Sequence, residues 1–447
     1  MPTNRKAVCV VGGLLLAAAP GLSAAPAGAA EPPPHGLADR LPALVEQHAP
    51  AAVLCRHDIH QHPELSYMEV ETGKRVAAEL KKAGLEVRSG VAKTGVVGVL
   101  RGGRPGPVVA VRADMDALPV VEKSDFPFRS TARATYQGQE VGVAHACGHD
   151  IHTSVELGVA AMLASVRQEL PGTVIFVFQP AEEGAPPGEP TGAKSMLDEK
   201  LFGDLRPQAI FGLHSQPRLE VGQADVAPGP VYAAVDRFRI TLHGKQSHGA
   251  HPEEGIDPIV MAAQAVMAVQ TIRSRTLDPT VPSVVTVGIL RSGERFNIIP
   301  ADAYLEGTVR TYGGDVQATV ERRMREILDG ITKAAGGTYD LAYEQTTPAT
   351  LNDASLEPQV RRSLEAALGA QQVSTARPTM GGEDFAYFAN QMPAVYFEIG
   401  TREPGGTSGG LHTPDFRAPD TAVAAGMRAM SRVIVDFLEA GPPAPAR

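Results

Sequence analysis

The sequence predicts an α/β protein with a mainly parallel-sheet core, interrupted by a small α+β unit. Three observations predict it. Short Val-rich runs bounded by Gly and Pro alternate with segments of helical period, as in sheets covered by helices. Acidic and imidazole residues stand where several of those runs stop, the place where open α/β sheets bind ligands. Between residues 229 and 344 the order changes to strand, helix, strand, strand, helix, strand, which is the split βαβ arrangement. At 447 residues the chain also exceeds the roughly 250–300 residues that one core supports.

In chain order, Arg5 and Lys6 precede an apolar run at 7–19, and small residues at 25–30 offer cleavage sites. This predicts a signal peptide over 1–30 and a secreted protein, extracellular or held in the cell envelope. No later segment is long enough to cross a bilayer. Removing the leader leaves Cys55 and Cys147, too few for a disulfide framework. A single bridge between them is the alternative. A composition of 43% hydrophobic and 20% charged residues excludes a largely disordered chain, and a net charge of −9 gives no footprint for nucleic acid or anionic lipid.

The first domain is expected over 37–228 and 345–440. Its first part holds helices at 43–60 and 69–83, strands at 96–101 and 108–112, a helix at 151–170, and strands at 173–178 and 210–213. After the insertion it resumes with a helix at 357–368, a strand at 394–399 and a helix at 421–438. The inserted domain, 229–344, is expected to place strands at 237–243, 283–290, 303–310 and 338–344 around helices at 257–272 and 316–335.

The chemistry is densest between His145 and His152, where Cys147, His149 and Asp150 also stand. Thiolate, neutral imidazole and carboxylate are the ligands of zinc and its first-row neighbours. The Gly between Cys147 and His149 lets both bend toward one ion. These five candidates cannot all hold the metal, so some must support the others. No further Cys-x-x-Cys or Cys-x-x-His pair follows, which disfavours a closed structural zinc site, while a nucleophilic Cys paired with His stays open on composition. Asp114 and Asp116 follow one predicted strand, Glu182 and Glu183 a second, and His214 a third. In a parallel sheet these positions share one crevice.

The runs Asp114-Met115-Asp116-Ala117-Leu118-Pro119, Ala146-Cys147-Gly148-His149-Asp150, Gln179-Pro180-Ala181-Glu182-Glu183-Gly184, Met380 to Phe385 and Leu411-His412-Thr413-Pro414-Asp415-Phe416 together resemble the amidohydrolase branch of the M20 metallopeptidase family. That branch includes hippurate hydrolases, N-acyl-amino-acid amidohydrolases and auxin-conjugate hydrolases. The resemblance covers nearly the whole mature chain and implies a binuclear metallohydrolase core with a lid and dimerisation domain. It implies that Cys147, His149, Glu183, His214 and His412 hold two divalent ions (zinc, manganese or cobalt), the thiolate bridging them. It makes Glu182 the general base, Asp116 an orienting group, and His248 a donor to the oxyanion, within its own subunit or across a dimer. Asn297 and Arg310 match lid positions, and a guanidinium suits a substrate carboxylate. The spacing from Glu183 to His214 carries a Pro- and Gly-rich insert at 185–192. The expected partner is a small N-acyl amino acid or short peptide, with a carboxypeptidase or dipeptidase activity, or a binding-only descendant of the fold, as the alternatives.

Overall fold

The computed structural model describes residues 36–443; the predicted signal peptide lies outside the described residues. The larger sheet has eight strands in the order Glu86–Val91, Gly95–Arg101, Pro171–Gln179, Arg104–Asp114, Ala209–Glu220, Ala394–Arg402, Ala224–Val226, Val373–Thr375. The four from Pro171–Gln179 to Ala394–Arg402 run parallel, and the first two strands join antiparallel. Apolar residues at successive positions suit strands buried on both faces. Val109, Val111, Phe176 and Phe178 pack with the long helices Leu37–Gln61, His149–Ser165 and Thr421–Ala440. Their neighbours Ala110, Ile175 and Val177 pack on the opposite face with Met196, Phe385 and Phe388, as the two-residue period of a strand requires.

A second sheet of four antiparallel strands has the order Ser283–Ser292, Asp302–Thr311, Ala234–His243, Thr338–Thr347. It is buried on one face only. Phe238, Ile240 and Leu305 meet Met261 and Met324 of the helices Pro258–Thr271 and Gly314–Ala335 in a separate apolar core. Asp257 starts the first of these helices by accepting the amides of Ile259 and Val260, an N-cap.

The element bounds differ from expectation at informative places. The first helix begins at Leu37 and runs through Pro42 and Pro50, because the buried stripe of Leu41, Val45, Ala49 and Ala52 outweighs the missing donors. The helix expected from 151 begins at His149 and stops at Ser165. The strand expected to end at 213 continues to Glu220, since Ser215 and Gln216 find partners in Ile399 and Gly400. Glu86–Val91 is a strand whose mostly exposed residues carry no apolar alternation.

Candidate metal centre

The parallel strands deliver the site. Arg104–Asp114 ends at Asp114 with Asp116 just beyond, and Pro171–Gln179 leads into Glu182 and Glu183. His214 sits within Ala209–Glu220 rather than past its end. Cys147 lies in the turn that opens the helix beginning at His149, and the residue between them could only be glycine. Gly148 has φ +87°, and a Cβ there would stand 2.2 Å from Ser215 Oγ. His412, itself at φ 63°, is held by its own amide, which donates to Ala146 O at 2.8 Å.

The predicted ligands converge. Cys147 Sγ lies 3.4 Å from His214 Nε2 and 3.3 Å from His412 Nε2. His412 Nε2 stands 3.1 Å and His149 Nε2 3.8 Å from Glu183 Oε1. Cys147, His149 and His214 form one group with donor atoms within 4.8 Å of one another, and Cys147, Glu183 and His412 form another, so the two share the thiol. Two of the three imidazoles are turned by the far nitrogen: His149 Nδ1 bonds Asp116 O at 2.8 Å and His214 Nδ1 bonds Ser215 O at 2.8 Å. This leaves Nε2 of both rings facing the cluster, where His149 Nε2 is buried without a hydrogen-bond partner. Second nitrogens fixed in this way are the mark of metal-ligating histidines. A thiol, imidazoles and a carboxylate arranged so fit divalent cations.

The electrostatics point the same way. Asp114, Asp116, Glu183, Glu383 and Asp384 crowd a buried region with one guanidinium, Arg112. Burial lowers His149, but Asp114, Asp116 and Glu183 override it and push the imidazole up to about 10. Burial, then Glu183 and Glu182, pushes the Cys147 thiol well up, and burial, then Glu383 and Glu183, raises Glu182. Surroundings of this sign favour a cation, and a bound one reverses the thiol shift.

The other members of the His145–His152 stretch are supports. Burial holds His152 down to about 4; its Nδ1 bonds Asp114 Oδ1 at 2.6 Å and its Nε2 accepts the Ser215 amide at 2.7 Å. Asp150 is taken by Arg56 and His60, each at 2.9 Å, and His145 is buried with neither ring nitrogen hydrogen-bonded among the described residues. Asp116 accepts Ser66 Oγ and the amides of Glu182 and Glu183 at 2.7, 3.1 and 3.0 Å. The Met380–Phe385 turn is explained by Arg112, whose guanidinium reaches Asp114, Glu383 and Asp384 at 2.7, 3.0 and 3.0 Å. Sequence reasoning passed over Arg112, although a lone charge in the run Val108 to Ala113 was a signal.

A cavity of about 940 Å³ opens on the cluster, lined by Cys147, Glu182, Glu183, His214, His412 and Arg310 among others. Arg310 bonds only Thr308 Oγ1, at 3.2 Å, and no carboxylate among the described residues. His248 and Asn297 are not brought to this cavity. They lie on the short pair Ser247–His248 and Ile298–Ile299 and its approach, with His248 exposed and its Nδ1 accepting the Ala250 amide at 3.0 Å.

Similarity to known proteins agrees with this geometry. The chain is 37% identical over 387 residues to N-acetylcysteine deacetylase of Bacillus subtilis, covering 86% of this chain and 96% of that one. It is 39% identical over 349 residues to thermostable carboxypeptidase 2 of Saccharolobus solfataricus, covering 78% and 85%. Among solved structures it superposes with a TM-score of 0.75 on a Bacillus subtilis dinuclear metal-binding peptidase of the M20 family, at 34% identity over 88% of this chain and 99% of that one. Residues 110–436 match the model of peptidase family M20/M25/M40. The chain therefore belongs to that family, as a metal-dependent hydrolase of linear amides.

Proposed function

We propose that the protein cleaves the amide of an N-acyl amino acid or short peptide with Glu182 as general base. The two donor groups sharing Cys147 carry this reading. Cys147, His149, Glu183, His214 and His412 would hold two divalent cations of the zinc, manganese or cobalt kind. When bound, such ions lower the pKa of water and polarise the scissile carbonyl. Glu182 takes the proton of the attacking water as the C–O bond forms, and returns it to the amine as the C–N bond breaks. The two neighbouring carboxylates divide these tasks because Asp116 fixes both their amides. Arg310, with no carboxylate partner among the described residues, receives the substrate carboxylate. The deacetylase relative favours acyl amino acids, and the carboxypeptidase relative supports short peptides as a second substrate class.

Residues 229–344 serve as lid and dimerisation domain in this proposal, and 37–228 with 345–440 as the catalytic domain. Phe296 and Met267, 97% and 73% exposed, support a homodimer through the former. His248 then reaches the oxyanion on lid closure or from a partner subunit. The leader at 1–30 directs export, which N-terminal sequencing of the extracellular protein tests.

Alkylation of Cys147 separates a metal ligand from a nucleophile. Zinc or manganese added to chelated protein should protect the thiol and restore release of amino acid from acetyl- and benzoyl-amino acids. A trapped acyl-Cys147, or metal-independent turnover, overturns the reading.

A further inference from the structure

Glu182 and Glu183 stand on one limb of a closed loop, and the Pro- and Gly-rich insert forms its other limb. Ala181 and Gly192 make the neck: Gly192 N donates to Ala181 O at 3.1 Å, and a Cβ on Gly192 would fall 1.6 Å from Pro180 O. The limb beyond Glu183 lines the site cavity from Ala185 to Glu189 and at Thr191. The loop leaves its strand through Ala181 at φ 49°, a left-handed conformation that strains a non-glycine residue. Something must hold that kink.

The segment Ser66–Glu69 holds it. Glu69 is fully buried and faces no cation in its hydrogen bonds. Its Oε1 accepts the amides of Ala181 and Tyr67, both at 2.9 Å, and its Oε2 meets Thr94 Oγ1 at 2.7 Å. Tyr67, also at positive φ, donates its hydroxyl to Pro190 O at 2.6 Å and accepts from Ser195 Oγ at 2.7 Å. Lys93 lies over the Tyr67 ring and pairs with Glu189. A buried carboxylate without a cation is costly, and an apolar residue would serve packing as well. What only an acceptor can do here is satisfy the Ala181 amide.

We propose that Tyr67 and Glu69 are positioning residues for amide cleavage, Glu69 aiming the Glu182–Glu183 limb and Tyr67 fixing the limb that walls the substrate cavity. The inference rests on the reading of Glu182 as base and Glu183 as ligand. Burial, with Asp116 nearby, pushes the Glu69 carboxyl up to about 8. Glu69→Gln keeps the acceptor for both amides and can donate to Thr94, whereas Glu69→Ala removes the acceptor.

The test measures kcat, KM, bound metal and Tm on the full-length protein at saturating manganese or zinc, with acetyl- and benzoyl-amino acids. Glu69→Ala should lower kcat at least about tenfold with KM changed less than about threefold, and Glu69→Gln should restore most of that loss. Tyr67→Phe should leave kcat for the acetyl substrate within about twofold while raising KM for the benzoyl substrate several-fold. Where loss of volume prevents Glu69→Ala from folding, Glu69→Met reads the same loss with the volume kept. Wild-type kcat in Glu69→Ala or Glu69→Met, or a Glu69→Gln as slow as either, overturns the positioning role of Glu69. Unchanged KM for both substrates in Tyr67→Phe overturns that of Tyr67. An inactive Glu182→Gln beside either result shows that only positioning has failed; an active Glu182→Gln removes the reading beneath it.

Discussion

Asp114 and His152 are joined by a 2.6 Å hydrogen bond in a fully buried part of the core, and the same imidazole accepts the Ser215 amide beside His214. A strand-end carboxylate thus sets the backbone beside His214, a proposed metal ligand, through an intermediary on a helix. His152→Ala leaves Asp114 and the Ser215 amide each short of a buried partner, so stability should fall by roughly 2–3 kcal/mol and metal affinity should fall as His214 loosens. Urea titration and metal competition check the two effects; unchanged metal affinity would show that His152 serves packing alone.

Glu182 and Glu183 are adjacent but should fail differently. Glu182→Gln is expected to retain metal and lose turnover by well over about a hundredfold, whereas Glu183→Gln should lose bound metal as well. Metal analysis beside kcat on each variant decides, and equal metal loss in both would reverse the division of roles.

His60 is buried between Asp150 and Glu122, at 2.9 and 3.0 Å. Burial alone would lower it, but Asp150 and Glu122 raise it to about 9. Its stabilising contribution, on the order of 3 kcal/mol, is therefore complete below pH ~6.5 and is lost as pH rises toward ~9. The stability gap between wild type and His60→Gln should shrink over that interval. A gap that stays constant between pH 6 and 9.5 would refute a charged His60.

His248 lies outside the cavity that holds the metal donors. His248→Ala should keep its metal while kcat falls by roughly 10²–10³, the usual cost of an oxyanion donor. Mixing inactive His248→Ala with inactive Glu182→Gln should restore part of the activity if the imidazole comes from a partner subunit, since a mixed dimer then has one whole site. Absence of rescue with proven subunit exchange assigns the donor to the same chain, and an unchanged kcat removes His248 from the chemistry.

Of the residues that converge, Glu182 and Glu183 stood out because they follow an apolar strand, and Cys147 and His149 because they share one dense run, whereas His412 entered through the resemblance alone. The parallel centre of the sheet was legible from runs such as Val174 to Phe178. What stayed hidden acts over long range without a local pattern. Glu69 reads as the start of a helix, and its bond to Ala181 joins segments that nothing in the sequence aligns. Arg56 and His60 read as one helix face, yet they clamp Asp150. The edge strand Glu86–Val91 is mostly exposed, so it carries no burial signal; its hairpin turn matters through Lys93 and Thr94, which reach Glu189 and Glu69.

The strand Ala394–Arg402 lies in the sheet between Ala209–Glu220 and Ala224–Val226, although the ribosome makes it long after either. During synthesis the edge of Ala209–Glu220 stays open until Ala394–Arg402 has been made. The contiguous antiparallel sheet from Ala234 to Thr347 has all its strands much earlier and can close first. An open parallel edge awaiting a distant strand invites pairing with other chains. Nascent chains stopped before Ala394 should therefore be held by chaperones or lost to aggregation, and with His412 as the proposed ligand, complete metal capture has to wait until residue 412 is also made.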